Sequence, residues 1–299
     1  MSLFILLALG LAVHSASAQE AASFLKIGVG ARAVGMGGAY TAIADGVDSI
    51  AWNPAGLARS GVRDLGFMHA EMVQSTRFDF LGYRQPTRFG SMGLAARHLS
   101  QGALDGRDAS GAPTGGFSAA DTALDLGFAR SVTPSFGVGV AVRYIQSTIA
   151  ETSAHGEAMD LGAIYQGGRL GPGSPQLGLA VQNIGPGMRF LDQSSPLPLT
   201  LAMGIGYKLP AGLLFAADLR NWPRSRTSEV SAGTEYAIVS GFAFRAGYSR
   251  DSTAIGTAGG LTGLTGGFGL ALKNYRFDYS ITPLGELGNA HRISLGTRF

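Results

Sequence analysis

The sequence predicts an all-β protein: a transmembrane antiparallel β-barrel of about fourteen strands with a short, partly helical, glycine-rich N-terminal plug. Three observations predict it. From residue 62 onward, large apolar residues alternate with small or charged ones at period two, as in a wall with one face on lipid and one on a lumen. Mean hydropathy is +0.18 with 14% charged residues, against the roughly 25% charge of soluble domains. After the first 20 residues there is nevertheless no apolar run of the length, about 18, that a spanning helix needs. The last strand alternates to an aromatic C-terminal residue, Phe299.

Residues 1–18 read as a secretory signal. An apolar core over 3–13 precedes Ala16-Ser17-Ala18, an A-x-A cleavage site before Gln19, although the usual basic start is missing. Residues 19–61 form the plug segment and 62–299 the barrel. In the plug, 21–27 suits a helical turn that the glycines at 28, 30, 35, 37 and 38 break. Short helices suit 39–44 and a stretch from Asp48 that stops before Asn53-Pro54. Val34, Met36, Ile43, Ile50 and Trp52 call for burial.

The strands are 62–72, 76–85, 90–100, 120–131, 136–147, 158–166, 176–184, 198–209, 212–221, 228–237, 241–249, 262–272, 275–283 and 291–299. The clearest, 136–145, sets Phe136, Val138, Val140, Val142 and Tyr144 against Gly137, Gly139, Ala141 and Arg143. The second is ambiguous, because Phe78, Phe80, Leu81 and Tyr83 occupy both faces. Short and long links alternate, as between periplasmic turns and external loops. They fail to do so at 72–76, which is short, and 165–176, which is long. An even strand count places both ends of the barrel in the periplasm.

Composition excludes several chemistries. Cysteine is absent, and the net charge of +3 comes from arginines spread singly rather than clustered, so nucleic acid is not a partner. Gly28-Val29-Gly30-Ala31-Arg32-Ala33 fits a dinucleotide fingerprint in letters but lacks the strand before it and the βαβ unit around it. Histidines 69, 98, 155 and 291 have no metal-ligand spacing. His98-Leu99-Ser100 has the His-x-Ser spacing of outer-membrane phospholipases, but the neighbouring strands supply no Asn to orient the histidine. The expectation is therefore a non-enzyme with no cofactor and no metal.

Phe24-Leu25-Lys26-Ile27-Gly28, 31–39 (ARAVGMGGA), 44–48 (ADGVD) and 52–57 (WNPAGL) closely resemble the N-terminal signature of the PorV/PorQ family of outer-membrane proteins, related to the FadL-like long-chain fatty acid transporters. The resemblance implies a fourteen-stranded barrel with an N-terminal hatch carrying Gly28, Arg32, Gly35, Met36, Gly37, Gly38, Asp45, Asp48, Trp52, Asn53 and Pro54. For PorV-like members it implies a role in type IX secretion, with secretion components or secreted proteins as partners. For FadL-like members it implies a route for hydrophobic small molecules. Phe299 resembles the signal read by the barrel-assembly machinery. Arg32, Asp45 and Asp48 would then pair with lumen groups such as Arg143, Asp125 or Asp160, and the plug would lie against wall glycines 137, 139, 162, 204 and 206.

Overall fold

The structure, a computed structural model, describes residues 20–107, 110–190, 193–239, 241–252, 263–285 and 288–299; the expected signal and its Ala16, Ala18 and Gln19 cleavage site lie outside the described residues. Among the described residues no helix is long and apolar enough to cross a membrane.

The strands are β1 (Asp64–Glu71), β2 (Arg77–Thr87), β3 (Gly90–Arg107), β4 (Pro113–Thr133), β5 (Phe136–Ile149), β6 (Thr152–Gln166), β7 (Ser174–Ile184), β8 (Met188–Phe190), β9 (Gln193–Ser195), β10 (Thr200–Lys208), β11 (Leu213–Trp222), β12 (Thr227–Val239), β13 (Phe242–Asp251), β14 (Leu264–Leu272), β15 (Tyr275–Pro283) and β16 (Asn289–Arg298). All but β8 and β9 form one closed antiparallel barrel. It closes where β1 meets β16 in register from Asp64↔Arg298 to Glu71↔His291. Closure leaves no free edge along the wall, which a bilayer requires because no water is there to satisfy one. We call the end that holds Arg63 and Phe299 the near end, and the opposite one the far end.

Outward side chains make an apolar band, including Leu94, Leu126, Val142, Leu161, Leu179, Met203, Phe244 and Leu295. Phe89, Phe136, Tyr165, Tyr236, Tyr275 and Phe299 gird its near edge, where amphipathic rings suit a membrane interface. Inside, the alternation puts Asp125, Arg143, Asp160, Asp218, Arg245 and Asp278 toward the lumen, all buried.

Two expectations need correction, and a third is explained. β3 continues to Arg107, β4 begins at Pro113, β5 continues to Ile149 and β6 begins at Thr152, so most of the links left between the expected strands at 101–119 and 146–157 are ladder. These extensions stand beyond the apolar band, where water replaces lipid and the backbone pairs without an apolar face to announce it. The 39–44 helix is a series of turns, and an α-helix, α1 (Ala31–Gly35), forms instead among the glycines. The two-faced reading of 76–85 resolves because Phe78 and Phe80 point inward, so both faces of β2 are apolar.

Candidate functional site

The lumen is occupied from end to end by residues 20–61, in two regions of different character. At the far end, the inward faces of β1, β2, β3 and β5 supply Met68, Phe78, Phe80, Leu99 and Ile145 to one continuous apolar cluster. The β8–β9 hairpin folds over it. Met188 and Leu197 are fully buried, and Met188 Cγ lies where a Cβ on Gly156 would come within 2.6 Å. Into this chamber goes the first turn of the plug, a 3-10 turn over Ser23–Lys26 whose Phe24 is 2% exposed. The segment is tied down lightly. Ala21 N donates to Pro196 O (2.9 Å), and Lys26 pairs with Glu20, reaches Ser225 Oγ at 3.5 Å and lies 4.9 Å over the Trp222 ring. The void between this turn, Trp52, Arg220 and Trp222 is about 20 Å³, room for one water molecule.

At the near end, the plug circles the inside of the wall. α1 leans on β13–β16, the turns at 40–43 on β7, β10 and β11, Val47 on β1 and β2, and the 3-10 segment Pro54–Arg59 on β4–β6. Where it passes, the wall is glycine facing glycine across strands: Gly66↔Gly82, Gly93↔Gly127, Gly139↔Gly162, Gly178↔Gly204 and Gly233↔Gly247. A Cβ would come within 2.6 Å of Val47 at Gly82, 2.8 Å of Leu57 at Gly127, 2.5 Å of Ala55 N at Gly139 and 2.8 Å of Met36 Cβ at Gly233. This belt admits plug backbone to van der Waals contact with wall backbone, and a side chain there would displace it. Gly139, Gly162, Gly204 and Gly206 sit in such contacts, while Gly137 is looser, its nearest plug atom 3.7 Å away.

Polar side chains tie the two layers together. Asn53 caps the Pro54–Arg59 segment by accepting from Ala55 N (3.2 Å), and its amide donates to Thr41 O (3.0 Å), Ala163 O (3.1 Å) and Leu179 O (3.2 Å). Asp218 accepts from the N–H groups of Tyr40 (2.9 Å) and Thr41 (2.8 Å). Trp52 Nε1 donates to Val29 O (2.8 Å), with Arg220 4.8 Å over its ring. Gly30 takes φ +84° next to Asp48, whose Oδ2 would lie 2.7 Å from a Cβ there, a conformation and a gap suited to glycine.

Arg32 makes a two-pronged pair with Glu235 (2.7 and 2.8 Å) and a third bond to Asp45 (2.8 Å). Glu235 also takes Arg245 Nε (2.6 Å), and Arg245 pairs with Asp278 (2.7 Å). Burial opposes ionisation of Asp45, but Arg32, Arg276, Arg59 and Arg298 outweigh it and hold the carboxyl well below its usual range. Asp48 has the reverse balance. Burial pushes it up to about 6 against the pull of Arg276, with Asp64, Asp278 and Asp45 adding repulsion. The expected pairing of Arg32, Asp45 and Asp48 with Arg143, Asp125 or Asp160 does not occur. Those wall groups satisfy one another, because they face a different arc of the plug.

They form a buried ladder across β3–β7. Arg97 Nη2 donates to both Asp125 oxygens (2.9 Å each), Arg143 Nε to Asp125 (2.6 Å) and Arg143 Nη2 to Asp160 (2.7 Å). The ladder ends at Asn183, which sits at φ +59°. Asn183 accepts from Arg143, its N–H donates to Asp160 (2.7 Å) and its amide to Pro198 O (2.9 Å). This is the bulge where β7 leaves the wall: pairing slips between Met159↔Ile184 and Leu161↔Val181. Beyond it, β6 from Thr152 to Ala158 has no β7 partner in the register. On the lipid side a groove lined by Leu124, Leu126, Val142, Tyr144, Met159 and Pro186 crosses β4–β6 and ends at this seam. Ala158 borders both groove and chamber.

The eleven residues expected in a hatch lie in the segment that packs inside the barrel wall, with Gly35, Met36 and Gly37 on the β12–β15 arc and Gly38 against Arg220. Phe299 pairs with Arg63 (N to O, 3.1 Å) and is exposed at the near rim. His98 Nδ1 bonds Thr122 Oγ1 (3.0 Å) across the strand. Sequence reasoning missed Asp218, Glu235 and the Asn183 bulge. Their signal was a polar residue on the small-residue face of a strand, which marks a lumen position but not its partner.

A profile of an uncharacterised protein family, UPF0164, matches residues 12–122. No curated protein matches. Among solved structures, the toluene transporter TodX of Pseudomonas putida is similar over 91% of this chain and 99% of its own, at 14% identity and TM-score 0.64. The fold is shared. The toluene transporter TbuX of Ralstonia pickettii (18% identity, TM-score 0.61, 91% of this chain, 98% of its own) and the monoaromatic hydrocarbon channel CymD (14%, 0.62, 91% and 97%) have the same architecture. These neighbours are channel and transporter barrels rather than secretion barrels, and none is described as an enzyme.

Proposed function

We propose that this chain is a plugged outer-membrane channel for small hydrophobic molecules, exported by its N-terminal signal and inserted through the Phe299 strand, with no catalytic step and no cofactor. One observation carries the reading: the apolar chamber at the far end is filled by the chain's own benzyl group, Phe24, on a segment held by few bonds. A ligand of similar size and polarity would replace it. The far end then faces the outside, and the eleven hatch residues serve as the seat that blocks passage straight through. The glycine belt leaves no room beneath the chamber, so the favoured exit is sideways into the bilayer at the β6–β7 seam. The reported neighbours' named substrates, toluene and monoaromatic hydrocarbons, point to the same class.

The test is uptake of a labelled monoaromatic hydrocarbon by cells expressing the barrel, with Met159 and Ile184, direct partners across the seam, both replaced by cysteine. Uptake that falls when the disulfide forms and returns on reduction is expected. Uptake no greater than in cells lacking the barrel would sink the channel reading, and uptake indifferent to the disulfide would sink the sideways exit.

A second reading, a PorV/PorQ-type secretion barrel, draws on the N-terminal signature and on the ladder of β3–β6 that stands beyond the lipid band as a surface for protein. Pull-downs that recover only barrel-assembly factors would remove it.

A further inference from the structure

Every described histidine lies on the outward face of its strand at the far edge of the apolar band. His69 follows Leu65 and Phe67 and His98 follows Met92 and Leu94, while His155 precedes Met159 and Leu161 and His291 precedes Ile293 and Leu295. Each ring is fixed the same way. Nδ1 engages a side chain on the neighbouring strand: His69 with Asp79 (2.6 Å), His98 with Thr122 (3.0 Å), His155 with Tyr144 (2.7 Å) and His291 with Tyr279 (2.7 Å). Among the described residues nothing bonds Nε2 on any of them. Three of the four fall in one cross-strand row, His69↔Asp79↔His98↔Thr122↔Gln146↔His155.

We propose that these four imidazoles form a belt among the headgroups of the far leaflet, in which the Nε2–H groups of His155 and His291 donate to lipid phosphates. Position selects the partner, since the first polar layer above an apolar band is where lipid phosphates lie. Chemistry selects the atom. Where a tyrosine hydroxyl donates to Nδ1, the proton of the neutral ring sits on Nε2, so His155 and His291 present donors to a phosphate without being charged. Around the row stand Asp79, between His69 and His98; Glu71, opposite His291 and Arg77; and Glu157, two residues from His155. The belt does not depend on the transport reading.

The test uses the whole barrel in phosphatidylcholine vesicles containing a minor fraction of phosphatidic acid. Lipids retained by the protein are read by native mass spectrometry. Several-fold enrichment of phosphatidic acid is expected for the native chain. It should be lost when all four histidines become glutamine, and retained in Arg130→Gln, a control on the opposite half of β4. Equal retention by the native and four-glutamine chains overturns the belt, as does absence of enrichment in the native chain. Should the fourfold variant fail to fold, solid-state NMR of the native chain decides. A contact between 31P and imidazole Nε2 supports the belt, and contacts to other side chains but none to Nε2 overturn it.

Discussion

The far-end chamber and the near-end seat hold two parts of the same forty-residue segment by different physics. The chamber holds Phe24 by contact alone. Burying its ring is worth about 2–3 kcal/mol, and a hydrophobic ligand recovers the same contacts. The seat holds 28–59 by backbone-to-backbone packing against the glycine belt, by Asn53 and Asp218 hydrogen bonds and by the Arg32–Glu235–Arg245 ion pairs. No single ligand reproduces those. Under the proposed channel function the difference would separate an exchangeable cork from a permanent floor, although both are continuous in sequence.

The largest expected break lies between the two, at the ladder that pins the β7 bulge. Arg143→Ala leaves Asp160 buried without its cation and Asp125 with Arg97 alone, and should cost about 3–5 kcal/mol. Heat-modified gel mobility should reveal a lowered unfolding temperature, and an unchanged one would mean the ladder does not hold the seam. Next, Gly139→Leu or Gly233→Leu drives a side chain into plug backbone, at about 1–3 kcal/mol of overpacking. We expect a leaking barrel in planar-bilayer conductance, whereas a tight barrel would mean the floor can shift.

Seating should also depend on pH. The carboxyl of Asp48 is raised to about 6, so the seated plug binds its proton more strongly than the released plug does. The resulting stabilisation is complete below the ordinary carboxylate range and is lost as pH rises through about 6. Allowing for the partial exposure of this group, the effect is about 1–2 kcal/mol. Fluorescence of Trp52 in a Trp222→Phe background should report plug release at lower denaturant at pH above 6, and Asp48→Asn should abolish that dependence. The smallest effect on the wall belongs to the cork: Phe24→Ala forfeits about 2–3 kcal/mol of burial in the first turn of the plug but should leave the heat-modified gel mobility of the barrel unchanged, because the strand ladder closes without it, while raising hydrocarbon uptake. A stability loss comparable to the glycine variants would place Phe24 in the floor.

Much of this was legible beforehand. Alternation located the fourteen wall strands because lipid imposes it on every spanning residue, and it assigned Gly139, Arg143 and Asp160 to the lumen. Alternation weakened wherever the solvent changed. The extensions of β3–β6 carry no apolar face in water, and Phe78 and Phe80 blur β2 because the chamber is itself apolar. The helix at 31–35 was hidden among glycines that read as breakers, yet Gly30 and Gly37 bound it through their positive φ.

What the chain determines alone is local: which residues face lipid, where strands turn, and that 24–57 cannot be an ordinary surface helix. Partner choice inside the lumen is another matter. Arg32 lies 203 residues from Glu235, and nothing in their spacing distinguishes that acid from Asp125 or Asp160. Only closure of the barrel, which sets β12 beside α1 and leaves Arg143 to the wall, decides which charges meet.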